Sequence, residues 1–197
     1  MKTIFINLFS ILAMDNFTVP DGVIDQLIRR KGQDIRLVLL TGEKLLPRLA
    51  PYANGQTVIV EAIKSFPPRG FIQKLFHFFY AFLIFTGSTK VLATFGARAD
   101  IPPAGGNRHM WFFKSLIANT FGQSLFVKRR LTPWLFKIIF RERPYQQLFA
   151  RYQPDLVMTP AIAFFPDVEL VSEAKRWGVK TIGMVMNWDH LNKYFIP

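Results

Sequence analysis

Both ends of the chain alternate short apolar runs with amphipathic segments. Segments 23–31, 43–50 and 166–177 are predicted helices, the first from its apolar spacing and the last from Pro166 and Asp167 at its first turn. Gly32 and Gly178 follow two of them as stop signals. Strands that are apolar throughout are typical of a parallel sheet covered on both faces. The pattern therefore predicts an α/β fold, a Rossmann-like, doubly wound parallel sheet. The predicted strands are 3–9, 35–40, 57–61, 155–159 and 179–186.

The middle of the chain, from about residue 64 to residue 152, lacks this alternation and forms a predicted helical insert. We expect helices over about 71–85 and 109–126, and a third that opens with Thr132 as its cap and Pro133 at its first position. Two interpretations of these helices stay open: they cover the sheet, or they contact a membrane.

Positive charge is concentrated in this insert. The whole chain has a formal net charge of +12, and residues 64–152 contain 14 basic and two acidic residues, whereas the flanks contain 11 of each. The same segment holds aromatic runs such as FHFFYAFLIF at 76–85. A nucleic-acid-binding protein uses basic charge and isolated aromatics, so that hypothesis rests on charge alone. Basic charge beside bulky apolar surface favours an anionic membrane surface and no nucleic acid.

The longest apolar run, residues 75–85, is shorter than the roughly 20 residues that a spanning helix needs. The run is more typical of an interfacial or a core helix, and we expect a cytoplasmic protein peripheral to the inner face of the membrane. The predicted membrane-contact residues are Lys74, Phe78, Phe79, Trp111, Phe112, Lys128, Arg129 and Arg130.

The amino terminus resembles a signal peptide, but Asn7 and Ser10 interrupt its apolar stretch and Asp15 follows it, so it predicts a first strand. The sequence has no cysteine, which excludes disulfides and thiolate ligands. The three histidines have no mutual helical spacing, so we predict no metal site.

Loops that follow the strands of a parallel sheet are the expected ligand sites, because the carboxyl ends of the strands meet at one edge. Three loops are candidates: 15–17 with Asn16, 159–161 with Thr159, and 187–190. We expect Asn16 and Thr159 to bind substrate at this edge.

The loop at 187–193 is the richest in chemistry. Asp189 and His190 are the predicted catalytic pair, since a carboxylate can take a proton from an acceptor hydroxyl. Trp188 offers a flat face for a sugar ring. Asn187, Asn192 and Lys193 complete the predicted substrate-binding set. The alternative is structural: Asp189 caps a following helix and Trp188 packs on the sheet.

These residues resemble a known family. The stretches RYQPDLVMT (151–159), FPDVELVSEAKRWGVKTIG (165–183) and NWDHLNK (187–193) resemble bacterial surface-carbohydrate proteins with the two-domain GT-B glycosyltransferase fold, in which a strand ends in Ser-Trp-Asp-Asn-Leu-Thr-Ser-Lys. Trp188, Asp189, Leu191 and a following lysine match that motif, whereas Asn187 and His190 differ. The segment is also similar to Trp-His-Gly-Thr-Pro-Leu-Lys of the related CDP-glycerol glycerophosphotransferases.

The resemblance implies that residues 1–197 are one amino-terminal, acceptor-side half-domain of such an enzyme, acting on a saccharide or a lipid-linked acceptor in surface polysaccharide synthesis. It implies no cofactor in this chain, because the nucleotide-sugar donor is expected on a carboxyl-terminal half that the sequence does not contain. A copy of this kind is expected to be truncated and inactive alone. Two alternatives stay open: a non-enzymatic membrane-surface or partner-binding domain, and half of an enzyme similar to UDP-N-acetylglucosamine 2-epimerase.

Overall fold

The computed structural model describes residues 1–31, 34–83, 111–161 and 165–184. These residues form two compact units. The sheet unit comprises residues 1–67 together with the described residues from 143 onward, and the helical unit comprises the described residues from 68 to 142. The predicted helical insert extends from about residue 64 to about residue 152, whereas the helical unit extends from 68 to 142. Segment 143–152 belongs to the sheet unit.

The sheet unit is built on five strands, all paired in parallel in the order β3-β2-β1-β4-β5. This order, with helices on both faces, is that of a Rossmann-like, doubly wound fold, as predicted. The strands are β1 (Lys2–Asn7), β2 (Ile35–Thr41), β3 (Val58–Ala62), β4 (Leu156–Thr159) and β5 (Lys180–Gly183).

One face of the sheet is covered by helices from the amino-terminal part of the chain. These are α1 (Ile11–Phe17), α2 (Val23–Lys31) and the short α3 (Leu46–Leu49). Alternate strand residues such as Ile6 and Leu39 pack there with Met14 and Ile24. The period of two in a strand sends the intervening residues to the other face.

The opposite face is covered by α7 (Gln146–Tyr152) and α8 (Phe165–Arg176). Phe5 and Val157 pack there against Phe149 and Leu170. Helix α8 ends as the sequence predicts, because Gly178 adopts a φ of 69° and the chain turns into β5. Each face thus has its own apolar core.

The helical unit contains α4 (Phe71–Leu83), α5 (Trp111–Asn119) and α6 (Thr132–Ile139). Its described core is aromatic: Phe76 and Phe136 are buried, and the rings of Phe136 and Phe140 stack with their centroids 4.6 Å apart. Gln73 Nε2 donates to the backbone oxygen of Ile139 at 3.3 Å, which joins α4 to the end of α6.

Two helix boundaries predicted within this unit are wrong. The helix predicted over 109–126 stops at Asn119, where the Thr120 hydroxyl donates to the Leu116 carbonyl at 2.7 Å and a 3₁₀ turn, Phe121–Gln123, follows. Thr132 does not cap a helix, because a π-helical segment, Val127–Leu131, leads directly into α6. Pro133 lacks an N–H, and it is tolerated because it lies in the first turn of α6.

Candidate functional site at the carboxyl edge of the sheet

Strands β1 and β4 lie side by side at the centre of the sheet, and the chain order reverses between them. Strands β2 and β3 continue from β1 on one side, and β5 follows β4 on the other. In open parallel sheets, ligands bind outside the carboxyl ends of the strands at such a reversal. Here those ends are Asn7 and Thr159, which directly follow the paired residues Ile6 and Met158. These two polar residues therefore mark the candidate site.

Asn7 and Thr159 are on the same face of the sheet. Each comes two positions after a residue of the core beneath α7 and α8, Phe5 and Val157 respectively. Residues two apart in a strand share a face. Asn7, with 2% of its surface exposed, and Thr159, with none, form a polar layer at the end of an apolar core.

Asp167 reaches this layer from the first turn of α8. Asn7 Nδ2 donates to Asp167 Oδ1 at 2.6 Å, and the carboxylate is as buried as the amide. A carboxylate in the first turn of a helix is favoured by the helix dipole. The hydrogen bond joins residues 160 positions apart in the chain.

Two oxygen atoms in this layer are buried without a hydrogen-bond partner among the described residues: Asn7 Oδ1 and Thr159 Oγ1. An unsatisfied buried polar group costs about 1–3 kcal/mol. Thr41, at the end of the neighbouring β2, shows the usual arrangement, because its hydroxyl donates to the Leu8 carbonyl at 3.0 Å. The polar layer is therefore able to accept a hydrogen bond at Asn7 and to donate or accept one at Thr159.

A second buried hydroxyl is on the same face. Tyr145 donates to the Lys64 carbonyl at 2.7 Å, and its oxygen is 3.3 Å from Glu169 Oε2. Burial raises the pKa of Tyr145 above its usual range, and the negative charges of Glu169 and Asp167 raise it further. Tyr145 is therefore a neutral hydroxyl near neutral pH.

The sequence-predicted site residues have different outcomes. Thr159 lies at the carboxyl edge, as expected. Asn16 does not lie in a strand-end loop: it is an exposed residue of α1, a helix that begins at Ile11 because the Ser10 hydroxyl accepts from the Ala13 N–H. The predicted loop at 15–17 is therefore wrong, and Asp15 is ion-paired with Arg48 at 2.6 Å.

The richest predicted loop is outside the described part of the chain. It contains Asn187, Trp188, Asp189, His190, Asn192 and Lys193. Their assignment to catalysis and substrate binding stays a prediction.

Sequence reasoning missed Asn7 and Asp167. Each had a signal: Asn7 is a polar residue ending an apolar strand, and Asp167 follows Pro166 at the start of a helix. Neither signal identifies the other as its partner, because their contact depends on the order of the strands in the sheet.

A second candidate surface is on the helical unit. We define the apolar–basic surface as the exposed apolar and basic residues of the segment 121–137. Its large apolar side chains are between 56% and 66% exposed, and the π-helical segment places basic residues among them. The members of this surface are Phe121, Leu125, Phe126, Arg129, Arg130, Trp134 and Lys137.

The predicted membrane-contact residues divide into three groups. Lys74, Phe112, Arg129 and Arg130 are exposed, with Phe112 at 71%. Lys128, Phe78 and Phe79 are half-buried, and the two rings contact each other edge to face at 4.9 Å. Trp111 begins α5, and its side chain is outside the described part of the structure.

The exposed apolar residues of α4 are instead at its amino end. These are Phe71, Ile72 and Leu75, with Phe71 at 79%. The sequence prediction chose the middle of the run, where Phe76 faces the aromatic core and Phe78 and Phe79 are half-buried.

Among residues 1–31, 34–83, 111–161 and 165–184, no group of three or more histidine, cysteine, aspartate or glutamate side chains is placed to hold a metal ion. Within those same ranges, every helix is too short or too polar to cross a bilayer.

Comparison of the chain with models of protein families, with curated proteins and with solved structures finds no match.

Proposed function

We propose that the chain is the acceptor-binding part of a membrane-associated glycosyltransferase or glycerophosphotransferase of surface polysaccharide synthesis. The enzyme moves a sugar, or a related phospho-polyol, from a nucleotide donor to a saccharide or lipid-linked acceptor at the cytoplasmic face of an anionic membrane. The sheet unit binds the acceptor, and the helical unit binds the membrane.

The observation that carries this proposal is the apolar–basic surface. Large exposed apolar patches are uncommon on soluble monomeric proteins, and they mark interaction sites. Phe126 is 66% exposed and is followed three and four positions later by the exposed Arg129 and Arg130. Apolar side chains enter the headgroup region, while guanidinium groups pair with anionic lipid phosphates.

The positive charge of the helical unit favours an anionic membrane as the binding partner of the apolar–basic surface. Residues 68–142 contain 11 basic and two acidic residues. An anionic lipid surface attracts each basic residue near it by about 1 kcal/mol. A partner protein of this complementarity would need a large acidic patch as well as an apolar one, whereas an anionic bilayer supplies both at any point.

The carboxyl edge of the sheet supports the second part of the proposal. The Rossmann-like order places polar ends of β1 and β4 where such sheets bind ligands. The resemblance of 187–193 adds the chemical roles: Asp189 and His190 act at the acceptor hydroxyl, Trp188 stacks on the sugar, and Lys193 faces phosphate. Asn187 and Asn192 hold hydroxyl groups.

The test is transfer of radiolabel from UDP-sugars and from CDP-glycerol to membrane lipids by the full product of the gene. We expect label in the lipid fraction and a loss of at least 100-fold in Asp189→Asn, because a positioned proton acceptor contributes roughly 10²–10⁴-fold. Asp34→Asn is the matched control, since Asp34 is an exposed carboxylate just before β2, at the amino end of that strand.

A second candidate function is a membrane-surface domain without catalysis, which the apolar–basic surface also favours. No transfer from any donor, together with binding to anionic vesicles, identifies that function. Salt-sensitive binding to duplex DNA without vesicle binding contradicts both.

A further inference from the structure

The buried polar layer of Asn7, Thr159 and Asp167 points to a ligand. We propose that Asn7 Oδ1 and Thr159 Oγ1 form a hydrogen-bonding subsite for one hydroxyl group of a saccharide. The choice of a saccharide rests on the proposed function. The geometry of the polar layer independently restricts which chemical group can bind there.

Asn7 and Thr159 lie side by side on one face of the sheet, which allows one ligand group to contact both. Both residues end adjacent parallel strands, whose spacing is about 4.8 Å, and both face α7 and α8. Their unpaired oxygens make no hydrogen bond to each other or to another described residue. A hydroxyl group placed between them donates to Asn7 Oδ1 and accepts from Thr159 Oγ1, which satisfies both atoms.

The charge of the layer argues against an anion. Asn7 Nδ2 is committed to Asp167 Oδ1 at 2.6 Å, so the amide presents only its oxygen to a ligand. The carboxylates of Asp167 and Glu169 are on the same helix and repel phosphate or carboxylate. The subsite therefore favours a neutral hydroxyl over a phosphate group.

A divalent cation also fits poorly. Magnesium and calcium prefer several carboxylate oxygens. Among the described residues, Asp167 is the carboxylate that contacts this layer, and one of its oxygens already accepts from Asn7. A hydroxyl group needs no added negative charge, because one acceptor and one donor satisfy it.

The experiment measures saturation transfer by NMR to N-acetylglucosamine, glucose and glycerol, without nucleotide donor or vesicles. We expect binding to the wild-type chain to weaken about tenfold in Thr159→Val, which removes the hydroxyl and retains the branched shape. Thr159→Ser retains the hydroxyl and should retain binding. Thr132→Val is the matched control, because Thr132 in the helical unit also has a fully buried hydroxyl without a partner among the described residues.

Three results would overturn the proposal. They are equal sugar binding by wild type and Thr159→Val, absence of sugar binding by the folded wild-type chain, and displacement of the sugar by inorganic phosphate or Mg²⁺ at millimolar concentration. Sugar binding that depends on Thr159 without transfer activity leaves the subsite standing and refutes the enzyme. Transfer activity that is unchanged in Thr159→Val supports the enzyme and refutes the subsite.

Discussion

Asn7 donates a 2.6 Å hydrogen bond to Asp167, and this bond joins the end of the first strand to the start of the last described helix. Both side chains are almost fully buried. The bond therefore fixes the first turn of α8 against the centre of the sheet, at the edge where the candidate ligand site lies.

The strength of this contact is measurable by a double-mutant cycle. We expect Asn7→Leu to lower the free energy of unfolding by about 2 kcal/mol, because the buried Asp167 carboxylate loses the hydrogen bond from Asn7. Asp167→Leu in the same background should cost less than Asp167→Leu alone. Urea denaturation of the four proteins gives the coupling energy, and additive effects would show that the bond contributes nothing.

Three of the buried threonines, Thr41, Thr159 and Thr132, are expected to respond differently to substitution by valine. Thr41→Val should lower the free energy of unfolding by about 1 kcal/mol, because it removes the hydrogen bond to Leu8. Thr159→Val and Thr132→Val should cause no loss in the ligand-free chain, because their hydroxyls have no partner among the described residues. Chemical denaturation of the three variants checks this contrast. Destabilisation of Thr159→Val as large as that of Thr41→Val would contradict it.

Glu173 is a buried acidic residue of α8 whose substitution is expected to destabilise the fold. It is 2% exposed, and it accepts from Arg143 Nε at 3.1 Å, from Arg143 Nη2 at 2.5 Å and from Trp177 Nε1 at 2.8 Å. Glu173→Gln should lower the free energy of unfolding by about 2 kcal/mol, because charge-assisted hydrogen bonds are lost. The exposed pair of Arg29 and Asp21 is the control, and Asp21→Asn should change stability by less than about 1 kcal/mol. Similar losses in both variants would refute the special role of Glu173.

Tyr145 predicts a dependence of stability on alkaline pH. Burial raises its pKa in the folded chain, so above pH of about 10 the unfolded state releases this proton and the folded state retains it. Stability should therefore fall as pH rises above that value, and Tyr145→Phe should weaken this slope. Tyr145→Phe also loses the bond to Lys64, at a cost of about 1 kcal/mol near neutral pH. An unchanged alkaline slope in the variant would contradict the assignment.

The sheet and its two faces follow from apolar runs in the sequence, and the described strands start and end near the predicted positions. Helix α1 was missed, because Asp15 and Asn16 suggest a turn. Its signals were the Ser10 cap and the spacing of Ala13, Met14 and Phe17, which are its buried residues. The π-helical segment before Pro133 has no apolar period of its own, so Thr132 was mistaken for a cap.

The candidate site was only partly predictable, for a physical reason. Thr159 was found because it ends a strand, which is a local feature. The partnership of Asn7 with Asp167 depends on β4 pairing with β1 rather than with β3, and strand order is a long-range property. The exposure of a side chain also depends on tertiary packing. Phe78 and Phe79 are as apolar as Phe71, but the packing of the helical unit leaves Phe71 exposed to solvent.

The most direct test of membrane association is co-sedimentation with vesicles of phosphatidylcholine alone or with added phosphatidylglycerol. We expect the wild-type chain to bind the anionic vesicles. Arg129→Gln with Arg130→Gln should weaken binding about 30-fold, since each basic residue near the surface contributes about 1 kcal/mol. Lys44→Gln with Lys180→Gln removes the same charge from exposed positions of the sheet unit and should have little effect. Failure of the wild-type chain to bind, or equal weakening by both double variants, would contradict the account.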